Sequence, residues 1–307
     1  HLFQQTQDEL DRQITMLADV GTSRFLPGSL QVFGGVSPSL LELAQQILQQ
    51  VSKQVEEGAD QVTANGFADQ ATREIEWYRT QAPAFSAQAI IREDMYSGLL
   101  STGGNLLIGR ETKLASRRVE ALLQHEVGTH LVTYYNGQSQ PMRLLKVGLA
   151  GYDGLQEGLA VLSEYLVGGL SHGRLRTLAA RVVATHLMIR GSSFAETYRE
   201  LTENHSFEAR TAFTITARVY RGGGLTKDAI YLRGLVEIID FIRRGGDLNL
   251  LLVGKLAADH IPIIRELLSR SILRQPPLRP RYLDDPRAIE ALARVGQAGS
   301  VLDLIGD

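Results

Sequence analysis

The chain of 307 residues contains no cysteine. That removes disulfides, thiol nucleophiles, iron–sulfur clusters and every zinc site built on sulfur. An excess of one charge is also lacking: 32 Lys and Arg stand against 34 Asp and Glu, a formal net charge of −2. No global basic field exists to hold nucleic acid or an anionic membrane, so neither is expected as a partner. No run of 18 apolar residues occurs, so no transmembrane helix is expected. The opening HLFQQTQDELDRQI has no apolar core behind a basic end and does not read as a secretory signal. The expected location is the cytoplasm. Histidine is scarce, with seven in all: His1, His125, His130, His172, His186, His205 and His260. A transition metal would have to use these few imidazoles together with carboxylates.

What is present is an ordinary globular mixture, 44% hydrophobic and 21% charged. Apolar residues at Leu10, Ile14, Leu17 and Val20 have helical spacing. Ser37-Pro-Ser-Leu opens a second helix, and a third runs from Phe67 to about Gln81. Ala87 to Arg92 and Asn105 to Gly109 read as short strands. The rest is helical almost to the end. Breaks are expected at Asn136-Gly137, Gly168-Gly169, Gly191-Ser192, Gly222 to Gly224 and Gly245-Gly246, with an extended Pro-rich stretch from Gln275 to Pro286. The expected fold is α+β and mostly helical, a small sheet enclosed by many helices. No linker divides it, so residues 1–307 are taken as one domain. Its layers are an N-terminal helical layer (1–82), a small sheet with the metal-binding helices (83–170) and a C-terminal helical layer (171–307).

The informative segment is His125-Glu126-Val127-Gly128-Thr129-His130, an H-E-x-x-x-H pattern inside a helix. Zinc proteases commonly carry H-E-x-x-H, whose two His share one helix face beside a Glu that acts as general base. Here the second His comes one residue late. Positions i and i+5 point roughly 140° apart on a regular α-helix, so both cannot aim at one ion. A π-type turn brings them back to one side. Gly128 lies where such a departure meets least resistance, so a π-bulge is expected between His125 and His130.

A third ligand comes from downstream. Asp153 with Gln156 resembles a capping box, which predicts a helix start there. Leu155, Leu159, Leu162 and Leu166 make its buried stripe, and Glu157 points away from it. Small Gly158 and Ala160 would let this helix approach another closely. Glu157 is the first choice as ligand and Glu164 the competitor; Glu164 could equally serve as a bracing partner or a solvated side chain. No Ser-nucleophile motif of G-x-S-x-G type occurs, and Gly222 to Gly224 makes no phosphate cradle.

His125 to His130, followed by Gln156-Glu-Gly-Leu-Ala160, resembles the family of microtubule-associated tyrosine carboxypeptidases. The likeness is closer still to their bacterial branch, the flavohemoglobin expression-modulating QEGLA motif proteins. It extends to Arg218-Val-Tyr-Arg-Gly-Gly223, to Thr226 through Gly234 and to Arg279-Pro-Arg-Tyr282, from roughly residue 85 onward. The resemblance implies a zincin-like metallopeptidase with one zinc ion, His125, His130 and Glu157 as ligands, and Glu126 as catalytic base. The expected reaction removes a C-terminal residue, with tyrosine or another aromatic as the candidates, from a peptide or protein tail. Tyr231, after a Gly-rich turn, is the expected oxyanion donor. Arg221 first, then Arg218 and Lys227, are the expected clamps for a terminal carboxylate, with Asp228 as a brace. The strand Asn105 to Gly109 could pair with an extended substrate. Two other readings remain: an aminopeptidase or endopeptidase using the same centre, and a regulatory binding protein with a structural or vestigial metal site. Oligomeric state is not legible.

Overall fold

Apolar residues at helical spacing produce the N-terminal elements. The computed structural model describes residues 1–53 and 60–305; the parts of the outlined layers at 54–59 and 306–307 lie outside them. The helices there are α1 (Leu2–Ala18), α2 (Phe25–Phe33), α3 (Pro38–Gln50) and α4 (Ala64–Gln81). Ser37 Oγ accepts the Leu40 N–H and Pro38 fills the first turn, which is why α3 opens where expected. The α1 stripe has the expected period but the opposite exposure. Leu2, Thr6, Glu9 and Met16 are buried, whereas Leu10, Ile14, Leu17 and Val20 face solvent. Periodicity identifies a helix face without saying what lies against it.

The strands are β1 (Gln61–Thr63), β2 (Ala89–Arg92), β3 (Leu99–Thr102), β4 (Asn105–Gly109) and β5 (Lys113–Ala115). β1 pairs with β5, while the larger sheet has the order β2-β4-β3. β4 runs parallel to β2, with Ile91 opposite Ile108, and antiparallel to β3, with Ser101 opposite Leu106. Leu106 and Ile108 are fully buried against Phe67, Ile75 and Tyr78 of α4. So β4, expected as a surface for an added strand, is the central strand with both edges taken. β3, not legible in the sequence, is one edge and β2 the other.

Helices α5 (Ser116–Leu123) and α6 (Val132–Ser139) flank a π-helical segment at Gln124–Leu131. The expected break at Asn136-Gly137 does not occur, because both residues are docking points inside α6. The buried Asn136 amide donates to Leu252 O and Leu278 O and accepts from Leu278 N. A Cβ on Gly137 would collide with the Leu145 carbonyl of α7 (Leu144–Val147). Next come α8 (Tyr152–Leu166), α9 (His172–Ile189), α10 (Phe194–Arg199), α11 (Ala209–Tyr220) and α12 (Ile230–Arg243). The remaining helices are α13 (Leu248–Leu251), α14 (Ile261–Ser269) and α15 (Pro286–Gln297). The large core lies among α3, α8, α9 and α12, with Leu159, Leu162, Leu178, Val182, Leu235 and Ile238 buried. Among the described residues no helix is long and apolar enough to cross a membrane.

Two findings about α8 set up the site. Its N-cap is Gly151 at φ 67°, with no side-chain cap, so the expected Asp153–Gln156 box is absent and both side chains are used elsewhere. Gly158, and Gly154 one turn earlier, meet Gly234 of α12 so closely that a Cβ on Gly158 or Gly234 would strike the facing backbone. That contact brings the first turn of α12 beside the first half of α8.

Candidate metal centre and cleft

The π-helical turn forms as the i, i+5 spacing demands, and it puts both imidazoles on one side. Their rings lie 4.9 Å apart at 85°. Gly128 is needed here because a Cβ would collide with Gln124 Oε1, whose amide is tied to Glu74 and Glu120. Val127 and Leu131 on the opposite side fill the core beneath the sheet. The turn is therefore clamped between sheet and α8, with its polar face toward α8.

Glu157 Oε2 stands 3.7 Å from His125 Nε2 and 3.7 Å from His130 Nε2. His125, His130 and Glu157 offer ligand atoms all within 4.8 Å of one another. Two N or O ligands bound to one tetrahedral metal at about 2.1 Å lie about 3.4 Å apart, so the three sites need only close slightly. Glu157 Oε2 is buried without a hydrogen-bond partner, which is costly unless something charged occupies the space between it and the rings. The residues fit a divalent cation.

Each histidine is held by its other nitrogen. His125 Nδ1 lies 2.9 Å from Glu164 Oε1. Glu164 is fully buried and also receives Arg118 Nη2 at 2.7 Å, Arg174 Nε at 3.0 Å and Arg174 Nη2 at 2.9 Å. Glu164 thus braces the His125 ring, its oxygens taken up by the two arginines. His130 Nδ1 meets the Gln156 amide at 3.3 Å, and that amide also contacts Thr133 Oγ1 at 3.1 Å. Burial works against a His125 imidazolium, but the nearby Glu157 carboxylate and the hydrogen-bonded Glu164 outweigh it and lift its pKa to about 10. Burial also opposes a charged Glu157, yet the two histidines hold its carboxyl well below the ordinary value. Without a metal, a proton on His125 supplies the positive charge; a metal would displace it.

The centre opens into a cleft of about 530 Å³ lined by β3, His125, Glu126, His130, Tyr134, Tyr152, Glu157 and Tyr231. Glu126, buried at its edge, accepts from Ser101 Oγ of β3 at 2.8 Å. Tyr231 stands in the wall on the first turn of α12, placed there by the Gly158–Gly234 contact. Arg181 of α9 sits over its ring at 5.3 Å. Burial and the charge of Glu157 push the Tyr231 phenol up, with Arg181 opposing, so it stays protonated at neutral pH.

The three expected carboxylate clamps fare differently. Lys227 lines the cleft, but its Nζ is 2.6 Å from Asp153 Oδ1. Arg218 is locked in a two-pronged pair with Asp228, at 2.7 and 2.8 Å, outside the lining. Arg221 is exposed and also outside it, because its turn folds away onto α2, with Gly222 packed against Phe25. Asp228 does brace arginine, as expected. Lys146 and Lys255 line the cleft unannounced. No spacing pointed to them, to Ser101 or to Arg174, since each comes from a separate segment. Gln156 alone had a signal, its place beside Glu157.

The family model described as microtubule-associated tyrosine carboxypeptidase matches residues 1–299, and the chain belongs to that family. A mouse (Mus musculus) protein named as a candidate tyrosine carboxypeptidase, MATCAP2, is 26% identical over 198 residues. The match covers 60% of this chain and 36% of the mouse protein, so the chain spans about a third of that relative's length.

Proposed function

We propose that this member of the tyrosine carboxypeptidase family is a zincin-like, zinc-dependent metallopeptidase. Residues 1–307 act as one unit and remove a C-terminal residue, tyrosine or another aromatic, from a peptide or protein tail. The observation that carries the reading is Glu157 Oε2, buried without a partner and equally distant from two imidazole nitrogens. The all-nitrogen-and-oxygen set His125, His130 and Glu157 suits a catalytic zinc with an open position. Ligation through His130 Nε2 requires the proton on Nδ1. In the structure Gln156 Nε2 faces Nδ1 and Oε1 accepts from Thr133 Oγ1; with the amide turned over, its oxygen takes the Nδ1 proton while Thr133 Oγ1 keeps its bond to Thr129 O at 2.8 Å.

Zinc bound there supplies a Lewis acid that polarises the scissile carbonyl and eases deprotonation of a water. Glu126, its Oε2 fixed by Ser101, takes the proton of the attacking water and hands it to the leaving amine. Tyr231 donates to the carbonyl oxygen as that atom gains negative charge. β3, the sheet edge along the cleft, offers main-chain partners to an extended substrate, the role first expected of β4. The tyrosine preference rests on the family description.

Metal analysis and a mixed peptide library read by mass spectrometry test the proposal. Purified protein should carry zinc in stoichiometric amount and shorten peptides from the C-terminus. Glu126→Gln should keep the metal and lose ~10²–10⁴-fold in rate. No zinc uptake on reconstitution, or unchanged cleavage by Glu126→Gln, overturns the proposal.

A further inference from the structure

The cleft contains three lysines in different electrical surroundings. Lys227 is neutralised by Asp153. Lys146 and Lys255 have no carboxylate within ion-pair distance among the described residues. Their ammonium groups lean on one ring instead, Lys146 Nζ at 5.0 Å and Lys255 Nζ at 5.7 Å from the centre of Tyr134. Lys255 Nζ also sits 5.5 Å from the Tyr152 ring. Burial pulls the Lys255 ammonium below the ordinary lysine value, and Lys227 adds to this against the pull of Asp153 and Glu157. Glu157, the metal ligand, is thus within electrostatic reach.

The position of Lys255 is built by backbone contacts. Its N–H donates to Leu145 O at 2.7 Å, and its carbonyl accepts from Leu149 N at 3.0 Å. Gly254 and Gly137 let this segment and α7 press onto the end of α6, where a Cβ at either position would meet the Leu145 carbonyl. A half-buried ammonium without a counter-charge is costly. Tyr134 and Tyr152 offset only part of that cost, since a cation over a ring gains about 0.5–2 kcal/mol. An anion entering the cleft recovers the rest. Of the cations expected to receive it, Arg218 and Lys227 already hold carboxylates and Arg221 lies outside. Lys146 is half-buried like Lys255, but its ammonium has only the Tyr134 ring beside it, where Lys255 stands between two rings.

We propose that Lys255 binds the α-carboxylate of the substrate's C-terminal residue, between the walls formed by Tyr134 and Tyr152. This assignment rests on the carboxypeptidase reading and adds the residue that distinguishes a chain end from an internal peptide bond. The test is a calorimetric titration of zinc-loaded Glu126→Gln protein with acetyl-Gly-Ala-Tyr, as free acid and as C-terminal amide. The free acid should bind at least tenfold more tightly than the amide. Adding Lys255→Met should reduce the free acid to the level of the amide, and Lys255→Arg should keep most of the preference. Lys255→Gln, which retains most of the stem, gives the same readout if the Met variant folds poorly. Failure of the free acid to bind more tightly than the amide, or a preference that survives Lys255→Met and Lys255→Gln, overturns the assignment. If Lys255→Met abolishes the preference but the native chain cleaves no peptide, the carboxylate site stands and the peptidase reading falls. If cleavage is intact and the preference ignores Lys255, the reverse holds.

Discussion

His125 and His130 converge on the same carboxylate, yet the regions behind them have opposite characters. Behind His125 is a buried ionic cluster in which Glu164 joins the imidazole to Arg118 of α5 and Arg174 of α9. Behind His130 is a neutral chain within α6 and α8, Gln156 to Thr133 to the Thr129 carbonyl. The ionic brace ties three helices together and is expensive to dismantle, because each guanidinium has few other partners once the carboxylate is gone. The neutral brace only orients a ring and leaves no charge behind when cut. One cluster thus combines a structural anchor at His125 with an adjustable ring at His130.

Replacing Glu164 by Gln should break this contrast most severely. Arg118 and Arg174 would keep buried charges with no carboxylate. A stability loss of about 3–5 kcal/mol is expected by thermal or denaturant unfolding, together with a 10–100-fold loss of zinc affinity in a chelator competition. A loss under about 1 kcal/mol would mean that the cluster is no anchor. Gly128→Ala should come next. Its methyl would displace Gln124 Oε1 from the π-turn that both braces share, at about 1–3 kcal/mol. The sharper readout is metal affinity, which should fall because the two rings no longer face one point. Gln156→Ala should have the smallest effect, about 1 kcal/mol or less in unfolding. Zinc should bind about tenfold more weakly, the low end for a bracing group. If Gln156→Ala proves as damaging as Glu164→Gln, the distinction between anchor and adjustable ring is wrong.

Local features were legible because their causes are local. The i, i+5 spacing with Gly128 inside it required a π-turn, and Ser37-Pro38 required a helix start. Other features misled because the same residues serve more than one purpose. Asn136-Gly137 reads as a turn, but Asn136 instead feeds two distant carbonyls and Gly137 makes room for Leu145. Arg221 has the right chemistry for a carboxylate but sits on a turn packed outward against Phe25, while Lys255 arrives from a segment with no motif. β3 was invisible as four residues of mixed polarity, yet its hydroxyl at Ser101 reaches Glu126, the proposed base.

Glu157 and Glu164 show where sequence ends and tertiary structure begins. They are seven residues apart, two turns along α8, so both point to nearly the same side of the helix about 10 Å apart. Sequence by itself determined that an α8 carboxylate could reach the histidine pair, since helical period and the apolar stripe at Leu155, Leu159, Leu162 and Leu166 follow from the chain alone. Helical period alone did not separate the two, although the small neighbours Gly158 and Ala160 put Glu157 first. The choice came from how the helices pack. The glycine contact of α8 with α12 and the clamping of the π-turn against the sheet place the His125 ring between them, Nε2 toward Glu157 and Nδ1 toward Glu164. Arg118 and Arg174 then neutralise Glu164 from α5 and α9, leaving Glu157 Oε2 as the unpartnered oxygen. Side-chain spacing sets direction along one helix; only the placement of the neighbouring charges decides which carboxylate is left to bind a metal.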